Sequence, residues 1–157
     1  MARYENPRYY SGPPLLAKEK VRARDGKTWK AGQPMVIDSG LYEPVASNGT
    51  KIHALASEDV DTSTSSSDVY IERIQSTETK LVAMVAYGDS DYTSKRSHIG
   101  LNRGVTVGSN ICSVDVTDDT NACVVIDSPL WVKEPYNNDS TDSPGFVICH
   151  LKAAALE

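Results

Sequence analysis

Three acidic residues close together, Asp115, Asp118 and Asp119, could bind a hard cation. Ca²⁺ takes about six to eight oxygen ligands, and its helix-loop-helix site has Gly at the sixth loop position and Glu at the twelfth. Counted from Asp115, those positions hold Thr120 and Ile126. A hydrated hairpin turn is the alternative, because Asp and Asn favour turns. We therefore expect a turn here and no metal.

A serine nucleophile is the next candidate. Gly88-Asp89-Ser90 follows an apolar run and resembles the nucleophile block of the Gly-Asp-Ser lipases and esterases. Those enzymes need a downstream Asp-x-x-His, so that a carboxylate orients the imidazole that acts on the serine. The third residue before His150 is Val147. The sequence therefore predicts a turn after a strand and a protein that is not an enzyme.

The remaining reactive side chains are scattered. We expect structural or exposed histidines, and buried free thiols in a reducing compartment, because no C-x-x-C pair or His/Cys cluster is present. These residues are His53, His98, His150, Cys112, Cys123 and Cys149. No cofactor or metal is predicted.

Short apolar segments separated by Gly and Pro must position these reactive side chains. No window longer than about ten residues keeps a helical period, so the pattern indicates an all-β protein built as a small barrel or sandwich. Asn48-Gly49 predicts a hairpin. The expected strands are 41–46 paired with 51–56, a buried strand at 81–86, 113–116 paired with 122–126, and a closing strand at 146–149, which follows a long loop over 127–144.

Charge is divided unevenly along the 157 residues. Residues 1–30 contain eight basic and three acidic residues, a net charge of +5, and the remainder contains eight and eighteen, a net charge of −10. Prolines in residues 1–20 favour an extended path. We predict a basic N-terminal arm over 1–25 that reaches for an acidic partner or lies on its own acidic neighbour. The −10 body argues against nucleic acid as a partner.

The arm precedes a predicted β-barrel-like domain at 26–152, which could contain a second β-subdomain at 69–126. Residues 153–157, Ala-Ala-Ala-Leu-Glu, are typical of a vector-derived tail. No apolar run approaches the ~20 residues that span a bilayer, and the N-terminus lacks an apolar secretory stretch, so no membrane partner is expected.

One further pattern goes beyond a generic β domain. Gly32-Gln33-Pro34-Met35-Val36-Ile37 is followed by Gly40-Leu41-Tyr42-Glu43-Pro44-Val45, and Ile52 through Ala56 then lead into Glu58-Asp59. Over residues 26–150 this order resembles the head decoration (cement) proteins of tailed bacteriophages. The resemblance implies a β-barrel or β-tulip-like subunit, commonly trimeric, made in the bacterial cytoplasm. It would bind the major capsid protein on the outside of the virion and clamp adjacent coat subunits.

Tyr and Arg are the residue types that anchor interfaces, and they are frequent in the arm. The predicted capsid-binding anchors are Arg3, Tyr4, Arg8, Tyr9 and Tyr10. The alternative is a receptor- or glycan-binding appendage of a head fibre or tail, which would use the aromatic rings of Trp131 and Tyr136 in the 127–144 loop.

Overall fold

Eleven β-strands form the protein in a computed structural model that describes residues 6–63, 68–86, 93–135 and 139–157. The strands are β1 Arg8–Ser11, β2 Glu19–Arg22, β3 Pro34–Asp38, β4 Leu41–Pro44, β5 Ala54–Ala56, β6 Asp68–Arg73, β7 Lys80–Ala86, β8 Asn102–Gly108, β9 Ile111–Asp115, β10 Val124–Pro129 and β11 Phe146–Leu151. A 3₁₀ turn at Arg96–His98 and the short helices α1 Leu130–Lys133 and α2 Ala153–Leu156 complete the described elements. Among the described residues, no helix combines the length and apolar character needed to cross a bilayer.

The C-terminal half is a closed barrel. Strands run in the order β7-β11-β10-β8-β9, and a parallel pairing of β9 with β7 closes the ring. Alternation places Leu81, Ala83 and Val85 of β7 in the core. The predicted all-β class and small barrel are thereby confirmed.

The N-terminal half is a five-stranded sheet in the order β2-β6-β5-β3-β4. Its core surrounds Trp29, which is 1% exposed. Ala23 and Tyr42 form an isolated parallel bridge that joins the two ends of the sheet. Leu55 and Ile74 belong to the barrel core, so the sheet and the barrel pack against each other.

Two tight turns decide which strands pair. Ser39-Gly40 connects β3 to β4, and Ser109-Asn110 connects β8 to β9; all four residues have positive φ, as a type I′ hairpin turn requires. The predicted hairpin of 41–46 with 51–56 is wrong, because β4 and β5 lie on opposite sides of β3. The predicted pairing of 113–116 with 122–126 is also wrong, because β9 pairs with β8 and β7.

The sheets divide the chain differently from the suggested subdomain at 69–126. Strand β6 belongs to the five-stranded sheet, whereas the barrel begins at Lys80 and continues to Leu151. The boundary between the two sheets therefore lies between residues 73 and 80.

Residues 153–157, which the sequence predicts to be a vector-derived tail, pack on the domain. Ala155 is 1% exposed and joins the barrel core. The Ile52 N–H donates to the Ala155 carbonyl at 2.9 Å, and Lys51 Nζ donates to the Ala154 carbonyl at 2.7 Å. These residues therefore contribute to the fold, and their vector origin stays a prediction.

Candidate binding surface

The described N-terminal segment, residues 6–25, begins on the barrel. The Asn6 side chain accepts from the Cys112 N–H at 2.9 Å and donates to the Asn110 carbonyl at 3.0 Å. Strand β1 then pairs antiparallel with β7, with Arg8 opposite Val82. An amide side chain and a strand ladder thus fasten this end to two barrel strands.

The segment next crosses from the barrel to the five-stranded sheet. Gly12 has φ +85°, and a Cβ there would lie 2.4 Å from the Glu78 carbonyl oxygen. Thr79 Oγ1 donates to the Pro13 carbonyl at 2.6 Å, and the Leu16 N–H donates to the Arg73 carbonyl at 3.0 Å. Strand β2 then pairs with β6.

A separate arm is therefore not confirmed. Residues 6–20 take the extended path predicted for residues 1–20, but the backbone of this segment pairs with both sheets. The physical reason is that strands β6 and β7 offer donors and acceptors along their edges, and an extended segment satisfies its own polar groups by pairing there.

The predicted anchors have different environments. Tyr10 is the extra residue in a bulge of β1 and packs against a cluster on the outer face of the barrel. That cluster is Val82, Leu130, Phe146 and Ile148. Tyr9 is 40% exposed, and its hydroxyl donates to the Gly12 carbonyl at 2.6 Å. Arg8 is exposed as well, whereas Arg3 and Tyr4 lie outside the described residues.

Some basic side chains of residues 1–30 form ion pairs with acidic residues in the rest of the chain. Arg24 pairs with Asp38 at 3.1 Å and with Glu43, and Lys20 Nζ is 4.0 Å from Asp68. These contacts match the alternative that the basic segment lies on its own acidic neighbour. Exposed ion pairs contribute only ~0–1 kcal/mol each, so the paired strands, not these charges, hold the segment in place.

Trp131, the described aromatic of the alternative glycan surface, is engaged within the protein. Its Nε1–H donates to the Ser94 carbonyl at 3.1 Å, and the Arg96 guanidinium carbon lies 5.1 Å from the ring centroid. That guanidinium covers one ring face in a cation–π contact. Tyr136 lies outside the described residues.

A polar cluster on the outer face of the barrel was not foreseen. Asp127 accepts from His150 Nδ1 at 2.9 Å and from Lys80 Nζ at 3.2 Å. The β10–β11 register shifts between Ile126 and Ser128, so Asp127 is a bulge residue, and bulges re-aim side chains. The three residues come from strands far apart in sequence, and no spacing rule could have joined them.

This cluster has two elements of a catalytic triad, a carboxylate and the imidazole that it orients. A triad also needs a nucleophile at the other ring nitrogen. Within the described ranges, no side chain hydrogen-bonds to His150 Nε2. The arrangement as described is an ion-paired surface cluster.

The two motifs considered for catalysis and metal binding have different outcomes. Gly88-Asp89-Ser90 lies outside the described residues. Asp118 Oδ1 accepts from the N–H groups of Thr120 and Asn121 at 3.1 and 3.0 Å, as in the predicted turn. Across the described ranges, no group of three or more His, Cys, Asp or Glu side chains is arranged to hold a metal.

The three cysteines are buried and free, as predicted. Burial raises the pKa of Cys123 and of Cys149 from the ordinary thiol value of 9.0 to about 12, and it also raises the pKa of Cys112. Cys112 and Cys149 line an apolar cavity of about 20 Å³ inside the barrel. Small-molecule sites are typically ~300–1,000 Å³, so this cavity is a packing defect of the core.

Comparisons with protein-family models, curated proteins and solved structures find no match to this chain. Its likeness to phage decoration proteins therefore rests on the glycine and hydrophobic pattern of residues 26–150, and the function that this likeness implies is a proposal.

Proposed function

We propose that this chain is a structural protein of a tailed-phage virion. It binds the outer surface of the capsid and stabilises it by clamping adjacent coat subunits, and it acts as a trimer. The observation that supports this proposal best is the path of residues 6–25, which pair with the barrel through β1 and with the five-stranded sheet through β2.

A clamp must carry load between its contacts. Tension on the N-terminal segment would be borne by two strand ladders, because β1 and β2 lie in different sheets. The Asn6 amide adds two further hydrogen bonds at the start of the segment. Such a body resists separation of its two sheets better than one held by a single loop.

The exposed residues on β1 supply contact chemistry. Arg8 and Tyr9 face solvent beside the start of the described segment. Their residue types are enriched among interface residues that contribute most to binding. Three copies in a trimer would engage several coat subunits at once, which raises avidity well above the affinity of one copy. Tyr10 has a different role, because it packs on the barrel.

The glycan-binding alternative has less support. Trp131 donates its indole N–H to the protein and has one ring face under Arg96, so the described ring offers a sugar only its other face.

Co-sedimentation with heads purified from a phage whose genome carries this sequence tests the proposal. Replacing Tyr9 with Ser should weaken binding about tenfold, because losing an interface Tyr commonly costs ~1–2 kcal/mol. Ile99→Ser is the matched control, since Ile99 is 46% exposed and lies beyond the 3₁₀ turn. Wild-type chain that stays in the supernatant, or a monomer by light scattering, would contradict the clamp.

A further inference from the structure

Strand β2 and the three residues before it present a row of side chains that the packing of the domain does not use. Leu16, Lys18, Lys20 and Arg22 are all exposed and alternate along the chain. Between them, Val21 packs against the core of the five-stranded sheet. Because side chains on a strand alternate between faces, Lys20 and Arg22 share one face of β2, and the exposed Leu16 and Lys18 precede them along the chain.

The backbone beside this row is an open sheet edge. Strand β2 pairs with β6 on one side over Glu19–Arg22. On its other side, pairing begins at Ala23, which bridges Tyr42, and at Arg24, whose N–H donates to the Tyr42 carbonyl at 2.9 Å. Within the described residues, nothing pairs with that outer side over 19–21. An open edge presents N–H and C=O groups to which a further strand can bond.

Charge decides which kind of strand can bind there. Lys18 and Arg22 have no ion-pair partner in the described ranges, and the Lys20–Asp68 pair is 4.0 Å long with both side chains more than half exposed. A second copy of β2 would bring like charges together, which is how edge lysines prevent self-association. An acidic segment would instead place carboxylates beside the three cations.

We infer that the outer edge of β2 binds an extended acidic segment of a partner protein, which adds a strand to the five-stranded sheet. This inference deepens the proposed function and rests on it for the identity of the partner, the coat protein. The edge itself can be tested without heads.

The probe is a short synthetic peptide in which Glu alternates with Thr, titrated into the ¹⁵N-labelled full chain. Amide shift changes should concentrate at residues 16–23. A peptide with Lys in place of Glu tests the charge. A third peptide with Pro in place of Thr keeps the carboxylates but loses the backbone donors of those positions, so it tests strand pairing.

Matched variants distinguish peptide binding at this edge from a general effect of net charge. K18E/R22E should weaken binding of the Glu-Thr peptide about tenfold or more, because like charges would then face each other. K27E/K133E makes the same charge change at exposed sites elsewhere and should bind as the wild type does. Equal thermal midpoints for the two variants would show that folding is not the cause.

Three results would overturn the inference: equal binding of the Pro peptide, equal weakening in the K27E/K133E control, or tighter binding of an oligothymidylate than of the Glu-Thr peptide. Failure of the proposed function gives a different result. In that case the Glu-Thr peptide binds at residues 16–23, but the chain does not sediment with heads.

Discussion

The barrel and the five-stranded sheet close in different ways. Each barrel strand has a neighbour on both sides, and the ring is completed by the β7–β9 ladder. Within the described residues, the Ala23–Tyr42 bridge and the Arg24 ion pairs with Asp38 and Glu43 join the two ends of the five-stranded sheet, and the outer edge of β2 stays open over 19–21. Closure removes edges and leaves no template for another strand.

This difference indicates that the barrel contributes more to stability, whereas the five-stranded sheet offers the surface for binding. The barrel holds the larger buried cluster, including all three thiols, whereas the five-stranded sheet has an edge with exposed cations. The two regions share core residues such as Leu55, so they should still unfold together.

Truncating the core of the five-stranded sheet should unfold both regions together. Trp29→Ala should lower the free energy of unfolding by ~3–5 kcal/mol, as for other buried aromatic truncations. Trp29→Phe should cost less, because the indole N–H has no hydrogen-bond partner in the described part of the chain. Urea denaturation measures the loss. Hydrogen exchange that opens the sheet in Trp29→Ala while the barrel stays protected would show two independent units.

The barrel thiols should make the protein sensitive to alkali. The pKa of Cys149 is about 12 in the folded state, so above its ordinary value of 9.0 the unfolded chain loses a proton that the folded chain keeps. The stability that the protonated Cys149 thiol contributes is complete below pH 9.0 and is lost as pH rises toward about 12. The wild-type free energy of unfolding should therefore fall more steeply than that of Cys149→Ala, by ~1.4 kcal/mol per pH unit. Equal slopes between pH 9.5 and 11 would contradict this.

The segment that passes from the barrel to the five-stranded sheet should depend on Gly12 for its conformation. Gly12→Ala should destabilise the protein by ~2–3 kcal/mol, because Ala disfavours positive φ and its Cβ would meet the Glu78 carbonyl. Gly26→Ala is the matched control: its φ is +76°, and a Cβ there meets nothing within 4 Å. That variant should lose only ~1 kcal/mol. Equal thermal midpoints for the two variants would mean that the close approach at Gly12 contributes nothing.

Turn signals in the sequence predicted where the chain turns better than they predicted which strands pair. Asn48-Gly49 does turn the chain, with Asn48 at φ 65° and the Gly49 N–H donating to the Ala46 carbonyl at 2.9 Å. It does not make a hairpin, because the Asn48 N–H donates to the Val105 carbonyl of the barrel at 3.0 Å. The loop leads from one sheet toward the other, and that tertiary contact outweighs the local preference of the dipeptide.

The candidate surface was only partly predictable. The types and positions of Arg8, Tyr9 and Tyr10 can be read from the sequence, but their exposure cannot, because the bulge in β1 directs Tyr10 onto the barrel. The alternation of Lys18, Lys20 and Arg22 was a readable signal of an exposed strand face. The pairing with β6 decides that this segment forms a strand.

The sequence by itself determined the all-β class, the burial of the thiols and the extended path of residues 6–20, because these follow from local alternation, composition and proline geometry. Tertiary structure decided where the extended segment lies, which strands pair and which polar groups meet. Asp127, His150 and Lys80 illustrate the reason: they are neighbours through ladders between three strands and one bulge, and such contacts depend on register over long separations, which local sequence patterns do not encode.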